Sequence, residues 1–269
     1  MPKPLTICLG GMPIELAPGQ ATGEYDLVRR ADVFFCQAKP EITLRIHCSE
    51  FPDLEDAPVS FETNLGWQYR QANGKRIIQV TSAEGGPYQL GLFPADFRSG
   101  DIYVAAMDHD PDRYVFPLSY PMGELFIMNL LGNGLGMLFH ACGVIYQGKG
   151  YLFTGHGGAG KTTTARLWEA LPGSRVVNDD KVIVRREREG FRLYGTPWHG
   201  EGGMVLADSA PLSRIFILSQ ASQNYCQPLP LVEAAGRLMA RTFAPLWDAD
   251  KVAYSLAFLE DLTQAIPCQ

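Results

Sequence analysis

No two of the six cysteines stand at C-x-x-C spacing, and no histidine follows one at zinc-finger distance, so the pattern of a structural zinc module is missing. Cys8, Cys36, Cys48, Cys142, Cys226 and Cys268 are scattered along the chain, and reduced thiols in a cytoplasmic protein are the expectation. Positive charge is also scarce. Lys and Arg number 23 against 29 Asp and Glu, a formal net charge of −6, and no basic cluster outweighs its acidic neighbours. That leaves no surface built to neutralise nucleic-acid backbone, so no nucleic-acid partner is expected. The one dense charge run, Arg185-Arg186-Glu187-Arg188-Glu189, mixes signs and ends at Gly190, as the solvated tip of a hairpin would. Repeats and low-complexity tracts are lacking too, and 46% hydrophobic against 19% charged residues describes a folded globular chain.

An uninterrupted apolar run long enough to cross a membrane is the next absence. Leu125 to Gly148 carries no charge, but Asn129, Gly132-Asn133-Gly134, Gly136 and His140 interrupt it. A buried helix, a turn and a buried strand account for it better than a span, which needs about 20 apolar positions. The apolar stretch in MPKPLTICLGG is too short for the core of a signal peptide, so no targeting segment is expected there.

What is present falls into two parts. Residues 1–115 read as short strands, LTICLGG, DVFFCQ, ITLRIHC, WQYRQ, KRIIQVTS, YQLGLF and IYVAAM, separated by Pro, Gly, Asn and Asp. They form a β-rich accessory domain or lobe with no chemical motif. A connecting loop follows, MDHDPDRYVFPLSYP, whose Asp108, His109, Asp110 and Asp112 allow a metal site but read as a solvated connection. Residues 116–269 carry the chemistry.

There, Gly155 and Gly160 with Lys161 and Thr162 satisfy the P-loop (Walker A) spacing G-x-x-x-x-G-K-[ST], and Thr163 follows. The motif holds an anion because backbone N–H groups of a glycine-rich turn and the positive end of the next helix point at it. YLFT supplies a strand before the loop and TTTARLWEAL a helix after it, stopped by Pro172-Gly173. Gly157, Gly158 and Ala159 have no bulk to keep phosphate away. Lys161 is expected to reach the β- and γ-phosphates of ATP, and the Thr162 hydroxyl to ligate Mg²⁺.

Ahead of the loop, GMLFHACGVIY reads as a strand joined to YLFT by a tight QGKG turn. Pairing Tyr146 with Tyr151 sets His140 opposite Gly157, which makes His140 either a core histidine or an imidazole carried to the phosphate cradle. Beyond the helix, SRVVNDD is a short strand parallel to the first, ending in Asp179 and Asp180. Two carboxylates at that edge can divide the work, one supporting Mg²⁺ and one accepting a proton, unless Asn-Asp-Asp merely turns the chain. A second hairpin, KVIVRRE returning as FRLYGTPWHGEGG, brings Trp198, His199 and Glu201 alongside. PLSRIFILS is a further strand. LPLVEAAGRLMARTF is an amphipathic helix that presents Arg237 and Arg241 on one face, for phosphate or for acidic surface. DKVAYSLAFLEDLTQAI is a packing helix.

The order "HACGVIYQGKGYLFTGHGGAGKTT" and then "RVVNDD" resembles the catalytic domain of HPr kinase/phosphorylase and its relatives, over about residues 137–182. The resemblance implies an α/β fold, a β-rich N-terminal lobe followed by a P-loop domain with a mixed, twisted sheet flanked by helices. By resemblance His140 and Asp179 are the catalytic pair, with Asp179 taking the hydroxyl proton, Asp180 beside it in the catalytic set and as a Mg²⁺ ligand, and Glu201, or else His199, as a further metal-supporting group. The glycine-rich G-I-I-N signature of HPr kinases is missing, and GTPWHGEGG stands in its place. The chain is more similar to the HPr-kinase-like proteins of ribosomal peptide pathways, including those that phosphorylate lasso-peptide precursors on serine. This implies an ATP- and Mg²⁺-dependent kinase acting on a serine of a peptide or small protein, with a homo-oligomer open. The bifunctional HPr enzyme and a non-catalytic ATP-binding regulator are the alternatives.

Overall fold

In the computed structural model, residues 4–20, 24–26, 31–54, 57–82, 85–107 and 110–269 are described. The chain divides into two compact units, Met1–Cys8 with Met12–Leu130, and Leu9–Gly11 with Leu131–Gln269.

The first unit holds β1 (Leu5–Leu9), β2 (Met12–Pro18), β3 (Glu24–Asp26), β4 (Ile42–His47), β5 (Val59–Thr63) and β6 (Trp67–Ala72). They are followed by β7 (Lys75–Thr81), β8 (Pro87–Phe93), β9 (Ser99–Val104), β10 (Ala106–Met107), β11 (Asp110–Val115) and the helix α1 (Met122–Leu131). Eight strands make one sheet in the order β1-β2-β4-β9-β8-β7-β6-β5, and β10-β11-β3 make a second. Period-2 burial explains the strands. In β4, Ile42, Leu44 and Ile46 are buried while Arg45 between them is exposed.

Several expectations need correction here. The break between units follows α1 instead of preceding it at 115, because Phe126 of α1 packs on Phe93 at 5.5 Å and on Phe97 at 6.4 Å, giving the helix to the first unit's core. In DVFFCQ, Ala31–Phe34 is a 3-10 turn: Ala31 and Phe34, three apart, are the buried pair, and the Phe35 N–H donates to the Asp32 carbonyl. Part of the expected connecting loop is the strand β11, paired with β10 and with β3. Asp108 and His109 of the conceivable metal site lie outside the described residues. Cys8 and Cys36 are joined in a disulfide, not held as free thiols. An Ile7–Phe35 bridge and the bond from Cys36 N–H to the Thr6 carbonyl bring their Cα atoms to 6.1 Å.

The second unit contains β12 (Met137–Tyr146), β13 (Lys149–Gly155), α2 (Lys161–Glu169), β14 (Ser174–Asn178) and β15 (Lys181–Glu187). It continues with β16 (Gly190–Tyr194), β17 (Ser209–Leu218), α3 (Leu231–Met239) and α4 (Ala249–Ala265). Strand β12 is shared between neighbours. Met137–His140 pair with β15, and later residues pair with β13 on one side and β14 on the other, so β13-β17-β16-β15-β12-β13 is a closed circuit. Because β13 and β14 are both antiparallel to β12, they run parallel to each other with β12 between them. One face of the sheet packs on Ala234 and Leu238 of α3 and on Phe258, Leu259 and Leu262 of α4, and the other on Ala165 and Trp168 of α2. The fold is mixed α/β, a mixed sheet with helices on both faces. The charge-free run from Leu125 resolves into helix, turn and strand, and no helix among the described residues is long and apolar enough to cross a membrane.

The β12–β13 register is Tyr146 opposite Lys149 and Ala141 opposite Thr154, two residues tighter than the expected Tyr146–Tyr151 pairing. A two-residue turn causes this. Gln147 (φ 52°) and Gly148 (φ 73°) both take positive φ, as a hairpin with a primed turn requires.

Candidate functional site

The glycines of residues 155–160 have separate structural reasons. Gly158 (φ 77°) and Gly160 (φ 104°) adopt left-handed backbone, the latter at the N-cap of α2. A Cβ placed on Gly157, Gly158 or Gly160 would meet nothing within 4 Å, so the loop opens onto free space, whereas one on Gly155 would lie 2.7 Å from the Leu218 carbonyl. Gly155 is required for packing on β17. No side chain caps α2, so the orphan N–H groups of its first turn and its positive end face the space above the loop. Thr162 is half-buried, Thr163 exposed, and the Ala159 N–H is turned back to the His156 carbonyl at 3.1 Å.

Lys161 is buried and curls into the loop, its Nζ 3.2 Å from the Gly155 carbonyl and 3.4 Å from that of His156. Burial pulls its ammonium below the usual lysine value. Asp180 pulls it partly back, and Arg241 adds to the fall. A desolvated cation held only by carbonyl oxygens is electrostatically suited to an anion.

The two aspartates have opposite environments. Asp179 is 2% exposed, and its carboxylate accepts N–H bonds from Gly200 (3.2 Å), Gly202 (2.7 Å) and Met204 (3.3 Å). The loop after β16 closes over it so tightly that a Cβ on Gly202 would be 2.6 Å from the Asp179 Oδ2. Asp180 instead faces His140, whose Nε2 is 2.9 Å from its Oδ1, and its Oδ2 binds the Lys181 ammonium. Burial alone would raise the Asp180 carboxyl, but the hydrogen bonds from His140 and Lys181 outweigh it and hold the group well below the usual carboxylate range. Asp179, expected to take the proton, is therefore a buried anchor for the 200–204 loop, and the pair that meets is His140 with Asp180.

His140 is 37% exposed, so it is not a core histidine. It sits directly across β12–β15 from Lys181, its N–H donates to the Arg241 carbonyl at 2.8 Å, and the Lys181 ammonium also lies 5.8 Å from the Phe243 ring centre. Arg241 stands past the end of α3, so it does not share a helix face with Arg237, which is bound to Glu233 at 2.6 Å. Glu201 is exposed in the loop over Asp179, and the ring Nδ1 of His199 is 2.8 Å from the Gly200 carbonyl. Trp198 is buried. No group of three or more His, Cys, Asp or Glu among the described residues is placed to hold a metal ion.

Two residues escaped the sequence reading. Asn178 is fully buried. Its Oδ1 accepts from the N–H groups of Asp180 (2.8 Å) and Lys181 (2.7 Å), and its Nδ2 donates to the carbonyls of Thr196 (2.9 Å) and Trp198 (2.8 Å). It fixes the turn that separates the two aspartates and ties it to the returning loop. The Asn-Asp-Asp sequence carried that signal, since Asn is favoured where a side chain must bind nearby backbone. Lys181, the next residue, could have been found from the register opposite His140.

Residues 122–255, which include the glycine-rich loop, the aspartate pair and Arg241, match the family described as SynChlorMet cassette protein ScmC. No curated protein matches the chain.

Proposed function

We propose that the chain is an ATP-dependent kinase of the HPr-kinase-like type that transfers the γ-phosphate to a serine hydroxyl of a peptide or small protein. The observation that carries this reading is an anion-ready loop whose Lys161 feels the charge of Asp180, the carboxylate of a His140–Asp180–Lys181 cluster. Lys161 and the N–H groups of Gly157, Gly158 and residues 160–163 would hold the phosphates. Asp180, kept ionised by its two partners, would accept the hydrogen bond of the incoming hydroxyl and aim it. In phosphoryl transfer, orientation of the nucleophile and neutralisation of charge do most of the work, so a weakly basic carboxylate suffices. The donors suit Mg²⁺, an oxygen-seeking ion that needs only one or two protein ligands, and Thr162 with the Glu201 carboxylate would hold it. Mg²⁺ would supply neutralisation of phosphate charge.

The cassette in the matched family's description makes proteins encoded beside this chain the first acceptors to test. The burial of Asp179 under Gly200 and Gly202 favours a second reading, a nucleotide-binding regulator whose 200–204 loop responds to the bound phosphate. Incubation of the purified protein with γ-labelled ATP, Mg²⁺ and candidate peptides separates the two. Label on a peptide serine supports the kinase, tight binding without consumption supports the regulator, and failure to bind ATP defeats both.

A further inference from the structure

Strands β13 and β17 are parallel and in register at Thr154–Ile217 and Gly155–Leu218, so they end at one level, and ligands of α/β sheets bind beyond the carboxyl ends of such strands. Beyond β17 lies a cavity of about 270 Å³. It shares a wall with the glycine-rich loop: Leu218 and Ser219 line it, the Leu218 carbonyl abuts Gly155, and Gln220, next in the chain, donates its Nε2 to the Gly158 carbonyl at 3.0 Å. Resting on the reading of the chain as an ATP-using enzyme, we propose that this cavity receives the purine base of the nucleotide whose phosphates lie in the loop.

The lining suits a flat, neutral heterocycle. No Asp or Glu lines it, and its one cationic side chain, Arg237, is bound to Glu233. Ile217 contributes an apolar wall and Tyr225, 69% exposed, an aromatic face on which a base can stack. Gln223, Asn224 and Gln227 make no side-chain hydrogen bond among the described residues. A carboxamide offers a donor and an acceptor side by side, the pattern that pairs with the N6 amine and N7 of adenine.

Cys226 provides the probe. It lines the cavity and is exposed, whereas the other free cysteines, Cys48, Cys142 and Cys268, are buried, and burial pushes the Cys142 thiol up to about 12 and that of Cys268 up to about 11. Iodoacetamide on the native protein therefore reads Cys226, which peptide mass spectrometry verifies. With ATP at about 100 times its Kd, alkylation of Cys226 should slow about tenfold or more, while inorganic tripolyphosphate at matched occupancy should leave the rate within about twofold. The double change Gln223→Leu with Asn224→Leu should weaken ATP about tenfold and leave tripolyphosphate binding unchanged. Equal protection by tripolyphosphate, or bound ATP with Cys226 alkylated at its free rate, overturns the base site and leaves the kinase reading standing. Absence of ATP binding in the unaltered protein overturns both.

Discussion

The Nε2 of His140 and the Oδ1 of Asp180 are 2.9 Å apart, although His140 belongs to β12, Asp180 to the turn between β14 and β15, and the glycine-rich loop lies between them in sequence. The bond joins a half-exposed imidazole to a carboxylate that Lys181 also grips, and under the proposed kinase reading the orienting role would fall to the second aspartate of the pair. The consequence is a division between an Asp180 paired with His140 and Lys181 and an Asp179 buried among backbone N–H groups.

Asp180→Asn should lower phosphoryl transfer by about 10²-fold or more while ATP affinity changes by less than about threefold, since the lost group acts on the acceptor hydroxyl. Initial rates with a phosphorylated peptide readout, set beside ATP titration, check this. Transfer retained within tenfold would remove Asp180 from the reaction.

Asp179→Ala should cost about 2–3 kcal/mol of stability, because the N–H groups of Gly200, Gly202 and Met204 lose their shared acceptor in a buried setting. Asn178→Ala should cost a similar amount by freeing two N–H donors and two carbonyls. Denaturant midpoints for both variants, compared with that of Asp180→Asn, should separate the two anchors from the carboxylate proposed to meet the acceptor.

Lys161→Ala should raise the ATP Kd by about tenfold or more, a loss of charge-assisted bonding to phosphate. Its effect on folding should be small, because the lysine is a desolvated cation held by carbonyls alone. Calorimetric ATP titration and thermal denaturation of the same preparation test both halves.

The Asp180 carboxyl is lowered in the folded chain and ordinary in the unfolded one, so the folded state gains from ionisation. That gain is complete above the ordinary carboxylate range of about 4, and it is lost as pH falls toward the lowered folded value. Replacing Lys181 by Met should remove part of it. The difference in unfolding midpoint between the unaltered protein and Lys181→Met should thus be steady from pH 7 to 5 and shrink below about pH 4. A difference that grows on acidification would contradict the pairing.

Reduction of the Cys8–Cys36 bond should destabilise the first unit by about 3.5 kcal/mol on the loop-entropy estimate for a 28-residue separation. Thermal denaturation with and without a reductant, using Cys8→Ser as the control, measures it.

Much of this protein was legible residue by residue. Glycine, lysine and threonine spacing located the loop, and runs of apolar residues between breakers marked α1, β12, β13, α2 and α4, because local geometry depends on neighbours a few positions away. Strand β2, with Pro13 and Pro18, and the mostly exposed edge strand β5 carried weaker local signals and were missed. What the sequence could not decide was which of two adjacent carboxylates faces outward. The pair stands in the turn between β14 and β15, so it is the turn, held by partners far along the chain, that sets one carboxylate inward and the other outward. That choice rests on Asn178 and on the distant N–H groups of Gly200, Gly202 and Met204. Only the folded chain brings those partners together, and the disulfide, set by the Ile7–Phe35 bridge, has the same origin.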